Sequence, residues 1–300
     1  MTDQTERAGF VAVIGAPNAG KSTLVNALVG QKVAIVSPKA QTTRARLMGI
    51  GIQDRSQILL VDTPGIFEPR RRLDRAMVQA AWGGAGDADL ILLVIDAAER
   101  FNREVERIVD GLTQREHPLW LALNKIDLVK KPKLLGLSQG LTERLRPDEV
   151  FMISAATGEG VPDLKDALAE AMPEGPWLYP EDEVSDATDR MIAAELTREQ
   201  VVNQLHQELP YATVIETETW EDRPDGSTVI HQQVLVERDS QKAIVIGKGG
   251  LRLKSIGAAA REEIAAHLGR NVHLFLHVKV KPRWDEDRSI YREIGLEWAD

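Results

Sequence analysis

Between Gly15 and Ser22 the chain reads GAPNAGKS, which matches the spacing GxxxxGK[ST] of a phosphate-cradling loop. Gly15, Ala16, Pro17, Asn18, Ala19 and Gly20 supply a turn whose backbone N–H groups can converge on phosphate oxygens. Lys21 has the reach to touch the β and γ oxygens, so it is a candidate catalytic cation. Ser22 offers a hydroxyl to Mg²⁺, and Thr23 continues into the helix whose N-terminus adds a partial positive charge. The motif alone does not separate ATP from GTP.

Three further clusters follow in order. Asp62, Thr63, Pro64 and Gly65 (DTPG) end an apolar run about 40 residues downstream. Asp62 can hold Mg²⁺ through water, and the Gly65 amide can face a γ-phosphate. Asn124, Lys125 and Asp127 of NKID come next. A carboxylate at Asp127 can accept hydrogen bonds from guanine N1–H and N2–H₂, whereas adenine lacks both donors and would leave the charge unpaired. Lys125 can lay its stem over the base, and Asn124 can tie this loop to the phosphate loop. Ser154, Ala155 and Ala156 can present a backbone N–H to guanine O6. Between the first two clusters, Ser37–Arg44 (SPKAQTTR) is the expected mobile segment. Thr42 or Thr43 there can complete the metal shell; Thr42 is the preferred candidate, beside Ser22 and Asp62. These chemistries together imply a GTP-hydrolysing enzyme with Mg²⁺ as cofactor.

The clusters need a scaffold that brings them to one edge. Apolar runs at Phe10–Ile14, Gln57–Val61, Leu90–Ile95, Leu119–Leu123 and Val150–Ile153 read as buried strands. Helical stretches at Ser22–Val29, Asn102–Leu112 and Pro162–Ala171 alternate with them. That alternation predicts an α/β domain over residues 1–172, with a mostly parallel sheet and helices on both faces. Each cluster follows a strand, where open α/β sheets bind ligands.

The composition changes at Met172–Asp186, MPEGPWLYPEDEVSD, which reads as a linker, with 173–188 as its bounds. Residues 189–300 read as a small α+β domain. A helix at Asp189–Glu208 precedes strands at Tyr211–Trp220 and Thr228–Glu237 around the turn Arg223–Gly226. A second helix at Gly250–Leu268 carries Leu253, Ile256, Ala260, Ile264 and Leu268 on one face. Asn271–Lys281 then alternates as a strand.

The whole chain carries a net charge of -9, yet Gln241–Arg283 holds nine Lys/Arg against two acids. A polyanionic partner is therefore expected for that segment only. It contains GKGG: Gly247, Lys248, Gly249 and Gly250, followed by Arg252 and Lys254, with Lys279 and Lys281 further on. A glycine-flanked turn of this kind clamps a nucleic-acid backbone in KH domains. A KH reading needs a short helix at Ala243–Ile246, although β-branched residues there favour a strand. Trp177, Trp220, Trp284 and Trp298 are expected to pack domain and linker surfaces, and Trp284, beside Lys281 and Arg283, is the one to test on RNA. The six histidines lack metal-type spacing, and the chain has no cysteine, which excludes disulfides and zinc–thiolate sites. The longest strongly apolar run, Leu90–Ala98, is far short of the roughly 20 residues that span a bilayer. The N-terminus has no apolar signal core, so a soluble protein is expected.

These motifs are similar to those of the translation-factor class of P-loop GTPases. After DTPG that class often carries a glutamine that positions water; Ile66 places this chain with the hydrophobic-substituted subgroup and implies slow intrinsic turnover. Asn18 matches a potassium-binding asparagine of some relatives, which implies K⁺ near Asn18. From end to end the chain resembles the Era family of bacterial ribosome-assembly GTPases, in which a type II KH domain follows the GTPase domain. The carriers are Gly15–Thr23, Lys39–Arg46, Asp62–Gly65, Asn124–Asp127, Ser154–Ala156, Val245–Gly250 and the tail Val278–Gly295. The resemblance implies a cytoplasmic switch that binds GTP and GDP and small-subunit (16S) ribosomal RNA near its 3′ end. It implies action on the immature 30S subunit and peripheral contact with the inner membrane, and nothing in the sequence points beyond a monomer. The rival expectation is a signalling or cell-cycle GTPase acting through a protein partner.

Overall fold

The computed structural model describes residues 5–37, 39, 43–44, 47–69, 71–99, 101–206 and 209–299. Contacts divide the chain into two units. One holds Met1–Ala34, Thr43–Asp186 and Ala299–Asp300; the other holds Ile35–Thr42 and Ala187–Trp298.

In the first unit the elements run β1 (Arg7–Ile14), α1 (Lys21–Val29), β2 (Leu47–Gln53), β3 (Ser56–Asp62), α2 (Arg72–Gly86) and β4 (Leu90–Asp96). They continue with α3 (Arg103–Leu112), β5 (Leu119–Asn124), α4 (Lys131–Leu145), β6 (Glu149–Met152) and α5 (Val161–Ala171). The sheet order is β2-β3-β1-β4-β5-β6. Only β2 runs antiparallel, against β3. The period-2 alternation sends Val11, Val13, Leu92 and Val94 to one face, against Leu24 and Leu28 of α1 and Leu164 and Leu168 of α5. Ala12, Ile14, Leu93 and Ile95 go to the other face, against Ala81 of α2, Ile108 of α3 and Leu141 of α4. Burial on both faces explains why these strands read as continuous apolar runs.

The Pro-rich stretch expected to be a linker is bound to this unit. Buried Gln57 on β3 accepts the amides of Leu178 and Tyr179 at 2.8 and 3.0 Å and donates to the Tyr179 carbonyl. Ile50 donates to the Val184 carbonyl at 2.9 Å, and Gly49 bridges Ser185. Prolines remove donors and acids favour solvent, so composition suggested a loose tether. The Leu178 and Tyr179 amides and the Tyr179 and Val184 carbonyls nevertheless find partners on β2 and β3, and the unit boundary falls after Asp186.

The second unit runs α6 (Asp189–Gln204), β7 (Val214–Asp222), β8 (Thr228–Val236), α7 (Asp239–Ile246), α8 (Leu251–Leu268), β9 (Val272–Val280) and α9 (Arg288–Glu293). The sheet order is β7-β8-β9, with β8 and β9 parallel. Val234, Val236 and Val278 pack with Val245 of α7, Ile256 of α8 and Val201 of α6. The stretch Ala243–Ile246 is helical despite its β-branched residues. The Gln241 side chain accepts the Glu237 and Arg238 amides at 2.8 and 3.1 Å, and Val245 is fully buried. Capping and core contact thus override propensity.

Candidate functional site: a nucleotide pocket and a glycine-rich loop

Five strand ends converge at the C-terminal edge of the first sheet. β1 delivers Gly15, β3 delivers Asp62, β4 delivers Asp96, β5 delivers Asn124, and Ser154 follows β6. Asn124 is the knot. Its Nδ2 donates to the Ala19 carbonyl at 2.8 Å, and its Oδ1 accepts the amides of Lys125 at 2.8 Å and Ala155 at 2.9 Å. One buried amide side chain therefore holds the phosphate loop, the NKID loop and the Ser154–Ala156 loop in mutual register. Ile126 adds a backbone bond to the Ile153 carbonyl at 3.2 Å. Asp127 lies exposed in the short turn Ile126–Leu128.

At the phosphate end, Lys21 is the first residue of α1 and is buried. Its ammonium donates to the carbonyls of Gly15 and Ala16 at 3.1 and 2.9 Å. Burial lowers its pKa to about 8, against the raising effect of Asp62. Asp62 is fully buried, and burial raises its pKa despite Lys21 and hydrogen bonds from Ser22 and Thr43. Ser22 Oγ donates to Asp62 Oδ2 at 2.7 Å, and Thr43 Oγ1 lies 2.9 Å from Ser22 Oγ and 3.2 Å from Asp62 Oδ2. Asp62 Oδ1 is buried without a hydrogen-bond partner. Two hydroxyls and a carboxylate with an unsatisfied oxygen are hard donors of the kind Mg²⁺ takes, so the residues fit the cation. Thr42, the preferred third ligand from sequence, lies outside the described residues; Thr43 is the threonine seen beside Ser22 and Asp62.

Gly65 packs against the phosphate loop so closely that a Cβ would fall 2.7 Å from the Pro17 nitrogen. Ile66 then donates its amide to the Gly15 carbonyl at 3.2 Å and buries its side chain among Ala16, Ile91 and Leu93. The side chain after DTPG is thus in the core, away from any water it would have to position. Thr63 Oγ1 donates to the Val13 carbonyl at 2.8 Å, a structural bond that pins DTPG to β1. Asn18 is exposed and adopts positive φ.

The segment before Thr43 groups with the second unit. The Val36 amide donates to Glu199 Oε1 at 2.9 Å, and the Lys39 ammonium donates to the carbonyls of Val202 and Leu205 at the C-terminal end of α6. A cation suits those carbonyls, which no helical N–H satisfies. Composition gave no signal for this contact.

In the second unit GKGG joins α7 to α8. Gly247, Gly249 and Gly250 all have positive φ, which lets the loop curl tightly before the α8 N-terminus. Lys248 is exposed, as are Arg252 and Lys254 on α8. Arg252 also donates to the Ile244 carbonyl at 2.8 Å. Ile244 and Leu251 flank the loop as exposed apolar side chains. Lys279 and Lys281 are placed differently. Leu276 and Val278 of β9 face the α7–α8 core, so alternation turns Lys279 to the opposite side of the sheet. Lys281 pairs with Asp287 at 2.6 Å. Trp284 is 2% exposed and donates to the Ala212 carbonyl, so its ring is core and not a stacking surface.

Comparison with known proteins follows this division. A family model described as a 50S ribosome-binding GTPase matches residues 10–125, and one described as a KH domain matches residues 208–285. The GTPase Era of Erythrobacter litoralis is 55% identical over 303 residues, covering 100% of both chains. The GTPase Era of Afipia carboxidovorans is 58% identical, covering 97% of this chain and 95% of its own. A crystal structure of Era in complex with MgGDPNP and nucleotides 1506–1542 of 16S ribosomal RNA superposes with a TM-score of 0.91 at 37% identity. It covers 97% of this chain and 99% of that one. An Aquifex aeolicus Era variant bound to GDP·AlF4⁻ gives the same score and identity, covering 96% and 99%.

Proposed function

The chain belongs to the Era family of GTPases, and on that premise we propose that its GTP cycle controls a grip on 16S ribosomal RNA near the 3′ end during maturation of the 30S subunit. The observation that carries this reading is the exposed GKGG loop, with Lys248, Arg252 and Lys254, on the same chain as the four loops at strand ends that match the guanine-nucleotide motifs. Gly15–Thr23 would cradle the phosphates, Asp127 would read the guanine edge, and the Ala155–Ala156 backbone would serve O6. Ser22, Asp62 and a threonine from the Thr42–Thr43 pair would hold Mg²⁺, which neutralises charge developing on the transferring phosphoryl group. Lys21 and the Gly65 amide would supply the remaining stabilisation at the γ-phosphate. Among the described residues no helix is long and apolar enough to cross a membrane. Within this reading the protein is a cytoplasmic monomer, and any contact with the inner membrane is peripheral.

The direct test is RNA affinity against salt concentration, with GDP and with a non-hydrolysable GTP analogue. Affinity should differ between the nucleotides and fall steeply with salt, because phosphate contacts release counterions. Equal affinity in both states removes the switch. No RNA binding even at low salt returns the protein-partner reading.

With Ile66 buried, hydrolysis needs help from elsewhere. We propose K⁺ beside Asn18 as one source. Turnover should then be faster in potassium than in sodium buffer of equal ionic strength, and equal rates would exclude the cation.

A further inference from the structure

Asp96 ends β4, next to Asn124 in the β4–β5 register, and belongs to none of the nucleotide-binding motifs. Its side chain is 9% exposed. One carboxylate oxygen, Oδ2, accepts the Lys125 ammonium at 2.6 Å. The other, Oδ1, accepts the amides of Ala98 and Glu99 at 2.8 and 3.3 Å, which fixes the turn that carries Asp96. The Ala97 amide donates to the Asn124 carbonyl at 2.9 Å, so this turn is also tied to the guanine loop by its backbone.

Lys125 is an unusual lysine. Its backbone sits in the left-handed region at φ 64° and ψ 37°. Its ammonium makes a second bond, to the Asn18 carbonyl at 2.8 Å, so the side chain runs from the guanine loop to the phosphate loop. A lysine stem has many rotamers, and ordering one on ligand binding costs affinity. Here two acceptors, the Asp96 carboxylate and the Asn18 carbonyl, fix the end of the stem.

We propose that Asp96 is a positioning residue for guanine nucleotides: it holds Lys125 against Asn18, so that the lysine stem forms a ready-made wall of the base slot and the two loops stay at a fixed separation. This rests on the reading of Asn124–Asp127 as the base-recognising loop. Asp96 touches no nucleotide atom in this role, and its effect passes through Lys125.

The test is a double-mutant cycle on the full chain, reading GDP and GTP-analogue affinities together with kcat and KM for GTP. Asp96→Asn keeps an acceptor for the Ala98 and Glu99 amides and removes the charge that orients Lys125. It should weaken GDP and GTP-analogue binding alike, by roughly 5- to 10-fold. KM should rise by a similar factor while kcat moves by less than about 2-fold, since the ion pair lies at the base end and acts equally on ground and transition states. In a Lys125→Met background the Asp96→Asn loss should vanish, because the residue it acts through is gone. Asp96→Ser, which also offers the turn an acceptor but is too short for Lys125, should repeat the result and guards against a fold defect peculiar to asparagine. A loss that persists in full in the Lys125→Met background, unchanged affinity in both Asp96 variants, or a fall in kcat at constant KM each overturns the proposal. Asp127→Asn separates this from the underlying reading. If that substitution leaves guanine preference intact, the loop does not read the base; if it switches preference while Asp96→Asn changes nothing, only the role of Asp96 falls.

Discussion

Asp127→Asn is expected to weaken GTP binding by about 100-fold or more, the usual scale for losing a charged hydrogen-bond partner in a polar recognition site. In the proposed role the carboxylate would accept from two guanine donors. An amide there still accepts from one but presents an N–H₂ to the other, so a favourable contact becomes a donor–donor clash. Xanthine replaces the guanine amino group with a carbonyl and restores the match. The same substitution should therefore raise affinity for xanthosine triphosphate while GTP affinity falls. Competition binding against a fluorescent nucleotide reads both arms. The substitution leaves in place the Asn124 bonds that tie the three loops together. Undiminished GTP affinity would contradict the assignment of Asp127 as the base reader.

Replacing Lys248 and Gly249 together with Asp should reduce RNA binding by about 100-fold or more at low salt, since it converts an exposed cation, proposed to meet RNA phosphates, and a neutral residue into two anions. Gly249 has φ 59°, a region that Asp tolerates better than most residues, and both positions are exposed, so the second unit should still fold. GTP binding should be unchanged. Retained RNA affinity would take RNA recognition away from this loop. Joint loss of RNA and nucleotide binding would instead report unfolding, which a thermal melt would show.

The parts of the nucleotide pocket that were legible in advance share one property. The proposed contacts of Gly15–Ser22, Asp62–Gly65, Asn124–Asp127 and Ser154–Ala156 each run through neighbouring residues on one loop, so local spacing encodes them. Asp96 was not legible, because its meaning depends on Lys125 from a different strand. Strand β2 was missed for a comparable reason. Its LMGIGIQ sequence carries two glycines that weaken strand propensity, yet a Cβ on Gly49 would fall 2.8 Å from Val29 of α1. Trp284 takes the packing role expected of the tryptophans: it lies beside Lys281 and Arg283 in sequence, but flanking charge says nothing about where a side chain points, and its ring is buried.

From sequence alone came the two domain types, the four nucleotide-binding clusters, the hydrophobic Ile66 in place of a water-positioning side chain, and the basic GKGG segment. All of these are local patterns of residue type and spacing, and backbone geometry converts such patterns into loops and strands with little help. The tertiary structure alone placed Thr43 beside Ser22 and Asp62 and bound the supposed linker to β2 and β3. It alone turned Lys279 to the far side of its sheet from Lys248 and joined Asp96 to Lys125. Each of those outcomes depends on groups far apart in the chain meeting through packing and hydrogen bonding, where burial and pairing of polar groups outweigh any preference written in a single stretch of residues.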